Sequence, residues 1–118
     1  MTLIHTTINI CIVCPEELRG SLTAILREAN IDIFSYITEI PVGMFSFYRC
    51  KDTDTITIPL HIKAVNSYAF RGSFFKKIIL NDNIEDLGGG VFQDCSNLES
   101  INLPEKNRNN QYVYFLKM

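Results

Sequence analysis

The stretch from Ile84 to Pro104, IEDLGGGVFQDCSNLESINLP, decides the fold. Its apolar residues fall into two frames. The first, Ile-x-x-apolar-x-x-x-apolar-Phe, is Ile84, Leu87, Val91 and Phe92. The second is strand-like: Leu98, Ile101 and Leu103, closed by Pro104. Both frames recur upstream. The first returns as Ile62, Val65, Ala69, Phe70 and as Ile37, Ile40, Met44, Phe45. The second returns as Ile78 and Leu80, and as Ile56, Ile58 and Pro59. The equivalent residues Ile56, Ile78 and Ile101 stand 22 and 23 residues apart. A period of this size marks units that contribute one short strand each. Stacked in register, their inward Ile, Leu and Phe form a core that no single unit could bury alone.

Outward from these repeats, the N-terminal third has a different character. Thr6 to Val13 reads as a strand, by alternation and by its isoleucines. Pro15 suits the start of a helix. Leu18, Leu22, Ile25, Leu26 and Ala29 then form one apolar stripe of an amphipathic helix. Glu16 and Glu17 lie at its positive end, and Asn30 is a stop signal. A short apolar segment, Ile31 to Tyr36, leads into the repeats. At the far end Asn107 to Asn110 is a polar loop, and Gln111 to Leu116 is strand-like again. The expected organisation is one domain: a strand–helix cap over residues 1–34, repeats over 35–104, and a C-terminal capping strand within 105–118.

The repeat frame resembles the BspA-type leucine-rich repeat, whose units read I-x-x-I-G-x-x-A-F-x-x-C-x-x-L-x-x-I-x-L-P. Ile84 to Pro104 matches nearly position for position. Ile62 to Leu80 keeps the Ala-Phe and strand positions but lacks the Cys and Pro, and Ile37 to Pro59 carries an extension. The resemblance spans about residues 37–104. It implies an α+β fold: a short leucine-rich-repeat-like solenoid of about three coils behind the strand–helix cap. It also implies protein binding, since members of the family are mostly surface-displayed binding proteins. A fragment of a surface adhesin is therefore one functional alternative.

Composition excludes several classes. The chain has 118 residues, 47% of them hydrophobic and 20% charged, so it is globular rather than disordered. Lys and Arg number 11 against 13 Asp and Glu, a formal net charge of −2, which gives no general drive toward nucleic acid or an anionic membrane. Apolar runs are far short of the ~20 residues that span a bilayer. Met1 to His5 has no basic segment leading into an apolar one, so no secretory signal and a cytoplasmic location are expected.

The candidate chemistry is thin. Cys11-Ile-Val-Cys14 has the spacing of a redox motif or half a zinc site, which makes a thiol or metal protein a second alternative. The β-branched linking pair argues for thiols on opposite faces of a strand. Counted back from the strand isoleucines, Cys50 and Cys95 share a repeat position, which points to core duty. His5 and His61 have no triad partners at a local spacing. Gly88-Gly89-Gly90 lacks the Lys-Ser/Thr of a phosphate loop, and the repeat frame already predicts a tight turn at Gly88. Arg49, Lys51, Lys63, Arg71, Lys76 and Lys77, interleaved with Phe45, Phe47, Tyr48, Tyr68, Phe74 and Phe75, have the make-up of a nucleic-acid face. Their small surplus over nearby acids, and the core positions of Phe45 and Phe75, argue against it. No catalytic constellation, metal or cofactor is expected.

The strands carry the sharper expectation. Alternation turns Thr55 and Thr57, Lys77 and Ile79, and Ser100 and Asn102 outward. An apolar Ile79 inside a polar rim has the make-up of an interface centre, so another protein is the expected partner. Exposed strand edges allow a second copy to pair as well. Tyr36, Phe47, Tyr48 and Phe74, aromatics off the repeat frame, are further candidates for this surface or for the junction with the helix. The Ile- and Asn-rich composition is that of an A+T-rich genome. Combined with the small size, it leads to the expectation of a phage or mobile-element inhibitor that occludes a host or defence protein.

Overall fold

The structure, a computed structural model, describes residues 14–49 and 54–102. The expected strand at residues 6–13, the expected strand at 111–116, His5, Cys11, Cys50 and Lys51 lie outside the described residues. Helix α1 spans Glu16–Glu28, and a 3-10 turn spans Ile33–Tyr36. Six short strands follow: β1 Glu39–Ile40, β2 Thr55–Thr57, β3 Ala64–Val65, β4 Lys77–Ile79, β5 Asp86–Leu87 and β6 Ser100–Asn102. Among the described residues they make two parallel sheets, ordered β1-β3-β5 and β2-β4-β6.

The sequence frames account for this arrangement. Ile40 pairs with Val65 and Val65 with Leu87; Ile56 pairs with Ile78 and Ile78 with Ile101. Each repeat supplies one strand to each sheet, and each pairing matches the same position of successive repeats. Between the sheets the turns are joined by a third ladder of backbone bonds. The amides of Gly43, Phe45 and Phe47 donate to the carbonyls of Ser67, Ala69 and Arg71. Those of Tyr68, Phe70 and Gly72 donate to Gly89, Val91 and Gln93. The Phe of the first frame stacks through all three repeats: Phe45 to Phe70 at 5.0 Å and Phe70 to Phe92 at 6.3 Å, with planes within 15°. Tyr48 lies parallel to Phe75 at 5.0 Å, and both are fully buried. The buried set thus runs continuously from repeat to repeat, as the period requires.

Among the described residues no repeat precedes the first to donate to its carbonyls, and α1 takes that role. Arg19 Nη1 donates to the Val42 carbonyl, and Thr23 Oγ1 donates to the Met44 carbonyl at 2.6 Å. Gly20 lies against the third carbonyl of that edge, Ser46. This corrects the sequence expectation for the helix. The face turned to the repeats is Gly20, Thr23 and Leu26. Leu18, Ile25 and Ala29 point outward, Leu18 with 52% and Ile25 with 62% of its surface exposed. The physical reason is what the helix covers. A row of backbone carbonyls needs small residues and donors against it, not large apolar ones. Asn30 does stop the helix. It adopts φ 62°, its amide donates to Arg27, and the Ile31 amide donates to Leu26, the two bonds of a Schellman ending.

A buried asparagine ties the first two repeats together. Asn81 Nδ2 donates to the carbonyls of Pro59 at 2.5 Å and Ile62 at 3.2 Å, and Oδ1 accepts from the Asn83 amide at 2.7 Å. Removing that amide strands polar backbone in the interior. Asn81→Ala is expected to cost about 1–3 kcal/mol. Asn83→Ala, at an exposed site with a single side-chain bond to Leu60, should cost under about 1 kcal/mol. Urea unfolding of the two variants checks the difference.

Candidate partner-binding face

Strand pairing fixes the outer face of the β2-β4-β6 sheet. Thr55, Lys77 and Ser100 form one row, and Thr57, Ile79 and Asn102 form the next. All six are exposed, while Ile56 and Ile78 between them are buried. Neighbouring members of a row lie a strand spacing apart, about 4.8 Å. Two threonines, a serine, an asparagine and a lysine surround one apolar side chain, Ile79, with 37% of its surface exposed. Each strand is anchored at its centre by an isoleucine turned to the core: Ile56 and Ile78 are buried, and Ile101 is partly so. Electrostatics add little to it. The nearby Lys76–Asp54 pair, at 3.6 Å, is exposed on both sides and so contributes under about 1 kcal/mol.

A second cluster lies on the turns, and sequence reasoning scattered its members. Phe47 and Tyr68 adopt φ 57° and 60°. The equivalent turn positions hold Gly72 and Asp94 in one case, and Gly43 and Gly90 in the other, all with positive φ. Bulky side chains seldom enter this region. Here each ring lies over the glycine of the next repeat, Phe47 over Gly72 and Tyr68 over Gly90, where a Cβ would collide with it. The Arg71 guanidinium sits between the two rings, 5.8 Å from Phe47 and 5.4 Å from Tyr68. It also pairs with Glu16 at 3.4 Å and Asp94 at 4.0 Å. The glycines at matching repeat positions were the signal that could have marked these two aromatics.

This geometry divides the supposed nucleic-acid face. Phe45, Tyr48 and Phe75 are in the core and offer no ring to a base. Arg71 is held by its two carboxylates, Lys76 is paired with Asp54, and Arg49 lies over Phe74 at 5.2 Å. Of the off-frame aromatics, Tyr48 is a core residue, whereas Phe47 and Phe74 are exposed.

The remaining candidate groups have local explanations. Cys95 Sγ donates to the Phe70 carbonyl at 2.9 Å, and its neighbour in the preceding repeat is Ser73, with Oγ 3.7 Å away. Matching the turns therefore gives Tyr48, Ser73 and Cys95 one repeat position, rather than the Cys50 and Cys95 reached by counting back from the strands. Burial pushes the Cys95 thiol above its ordinary range, against the opposing hydrogen bonds of Ser73 and the Gly72 backbone. A thiol raised in this way is a poor nucleophile. His61 is exposed, with Nε2 2.6 Å from the Phe34 carbonyl. Gly88 does not serve a positive-φ turn, as the frame predicted. It serves close approach: a Cβ there would overlap the Ser67 amide nitrogen of the adjoining repeat. Among the described residues no group of His, Cys, Asp and Glu could hold a metal ion, and no helix is long and apolar enough to cross a membrane.

The model of the BspA type leucine rich repeat region, built of 6 copies, matches residues 26–117. No curated protein and no solved structure matches the chain.

Proposed function

The chain belongs to the BspA-type leucine-rich repeat family, and from that footing we propose that it is a non-catalytic protein-binding module. Its working surface is the outer face of the β2-β4-β6 sheet. The observation that supports this most is the grid itself: Ile79 at the middle of an exposed polar rim whose rows are set by strand pairing. Stacked repeats bind partners on such faces because the side chains are held in place before the partner arrives, so little ordering entropy is lost. We read the three repeats as a short solenoid closed at one end by α1. In the cell we place the protein in the cytoplasm, as a small phage or mobile-element inhibitor that occludes the working surface of a host or defence protein. Size, near-neutral charge and an Ile- and Asn-rich composition support that setting.

The test starts from wild-type chain immobilised in host lysate. The protein it retains is purified and titrated against Ile79→Asp and Leu60→Asp. Both variants place a charge at an exposed apolar site, but Leu60 lies off the sheet. Ile79→Asp is expected to weaken binding about 30-fold, the loss of one hot-spot residue of ~2 kcal/mol. Leu60→Asp should leave affinity unchanged, and neither should shift the thermal midpoint. Equal affinity of wild type and Ile79→Asp would remove the sheet face from the reading.

A further inference from the structure

Two adjacent lysines lead into β4, and their surroundings differ. Lys76 lies between Asp54 and Glu99: its amide donates to the Asp54 carbonyl, and its carbonyl accepts from the Glu99 amide. Its ammonium pairs with Asp54 at 3.6 Å. Lys77, one residue on, lies in the row Thr55–Lys77–Ser100. Its neighbours on both sides are hydroxyl side chains, about 4.8 Å away. All three side chains of the row are exposed, and among the described residues no carboxylate pairs with the Lys77 ammonium. The sheet face thus carries one positive charge, and none of Thr55, Thr57, Ile79, Ser100 and Asn102 offsets it.

Lys77 and Ile79 stand two residues apart on one strand, on the same face and about 6.6 Å from each other. A partner seated over Ile79 therefore also takes Lys77 out of water. An ammonium that loses water without gaining a counter-charge is costly. The face supplies no counter-charge, so the partner must. Thr55 and Ser100 can each donate a hydroxyl hydrogen to the same anion. A side-chain carboxylate fits better than a phosphate backbone, which calls for a track of cations. Lys77 is the single cation of the face, and the next one along the chain is engaged by Asp54.

We propose that the partner of this face is an acidic protein surface. It sets an Asp or Glu on the Thr55–Lys77–Ser100 row and an aliphatic side chain against Ile79, about 6–7 Å apart. The pairing rests on the sheet face being the working surface and adds the charge and spacing of what it meets. Attraction by Lys77 speeds the encounter, and burial of Ile79 holds the complex.

The probe is the protein that wild-type chain retains from host lysate, purified and titrated against full-chain variants. Lys77→Gln should weaken binding about 5-fold and Lys77→Glu about 20-fold, mostly through slower association. At about 1 M salt, where the screening length is ~3 Å, wild type and both variants should converge to within about 3-fold. Ile79→Lys should bind about 5-fold more tightly than Ile79→Asp, since both lose the apolar contact and only the aspartate repels an acid. Lys63→Gln, at an exposed lysine beside the other sheet, should bind as wild type does. All these sites are exposed, so the thermal midpoints should stay together. Wild-type affinity in Lys77→Glu, or tighter binding by Ile79→Asp than by Ile79→Lys, would overturn the acidic partner. If Ile79→Asp loses binding while Lys77→Glu keeps it, the face stands and its acidic partner falls. If both variants bind as wild type does, or if wild type retains no protein, the face falls as well.

Discussion

Phe70→Ala is expected to lower the unfolding free energy by about 3–5 kcal/mol, the usual cost of emptying a fully buried phenylalanine site. Phe70 has no exposed surface and is the middle member of the stack. It faces Phe45 at 5.0 Å and Phe92 at 6.3 Å, and meets the edge of Phe75 at 6.0 Å. Its backbone is also pinned on the next repeat, through the bond to Val91. The cavity therefore cannot close by moving the repeats together without breaking that ladder, which keeps the cost near the upper part of the range. Domains of this size are stable by about 5–15 kcal/mol, so the variant would lose a large share of the total. The thermal midpoint should fall by roughly 10–25 °C. Phe92→Ala, with one stacked neighbour among the described residues, should cost less than Phe70→Ala. Urea and thermal unfolding followed by circular dichroism measure both. A loss under about 1 kcal/mol for Phe70→Ala would mean that the stack is not the core.

The parts of the fold that repeat were legible in the chain, because a period imposes the same environment three times. Phe45, Phe70 and Phe92 announce one column of the interior, and Ile56, Ile78 and Ile101 another. The alternation that puts Thr57, Ile79 and Asn102 outward follows from the strands alone. What did not repeat was misread. The apolar stripe of α1 looked like the buried face because apolar periodicity is the usual mark of one. The helix instead covers carbonyl oxygens, and nothing in a hydrophobic pattern reports on hydrogen-bond donors. Phe47 and Tyr68 were missed as a pair for a related reason. Phe47 stands two residues after the frame Phe45 and Tyr68 two residues before the frame Phe70, so they occupy different repeat positions, and each is the one aromatic in a column whose other members are glycine or aspartate with positive φ. Tyr48 looked peripheral because its column changes identity, from Tyr48 to Ser73 to Cys95, so no single residue type marks it.

The docking of α1 leads to the second large effect, and its sign runs against helix propensity. In an ordinary helix interior Gly→Ala stabilises by about 0.5–1 kcal/mol. Gly20 sits mid-helix and should follow that rule if α1 were an isolated amphipathic element. A Cβ at Gly20 would instead overlap the Ser46 carbonyl oxygen, and would lie 2.8 Å from its carbon and 2.9 Å from the Tyr48 nitrogen. These are backbone atoms, and no rotamer change moves them. Ser46 is itself fixed, by its amide bond to Gly43 and by Oγ donating to Tyr68 at 2.8 Å. The helix must therefore shift away. The shift breaks the Thr23 bond to Met44 and the Arg19 bond to Val42, and uncovers Thr23 and Leu26. Overpacking of this kind costs about 1–3 kcal/mol, and a lost buried hydrogen bond adds about 1 kcal/mol more. Gly20→Ala should thus destabilise by about 2–3 kcal/mol after its propensity gain is subtracted. Ser21→Ala, one residue on and exposed, should gain a few tenths of a kcal/mol. Opposite signs at adjacent positions of one helix, read by urea unfolding, are what a helix seated on a carbonyl edge requires. A stabilised Gly20→Ala would mean that α1 does not close that end of the repeats.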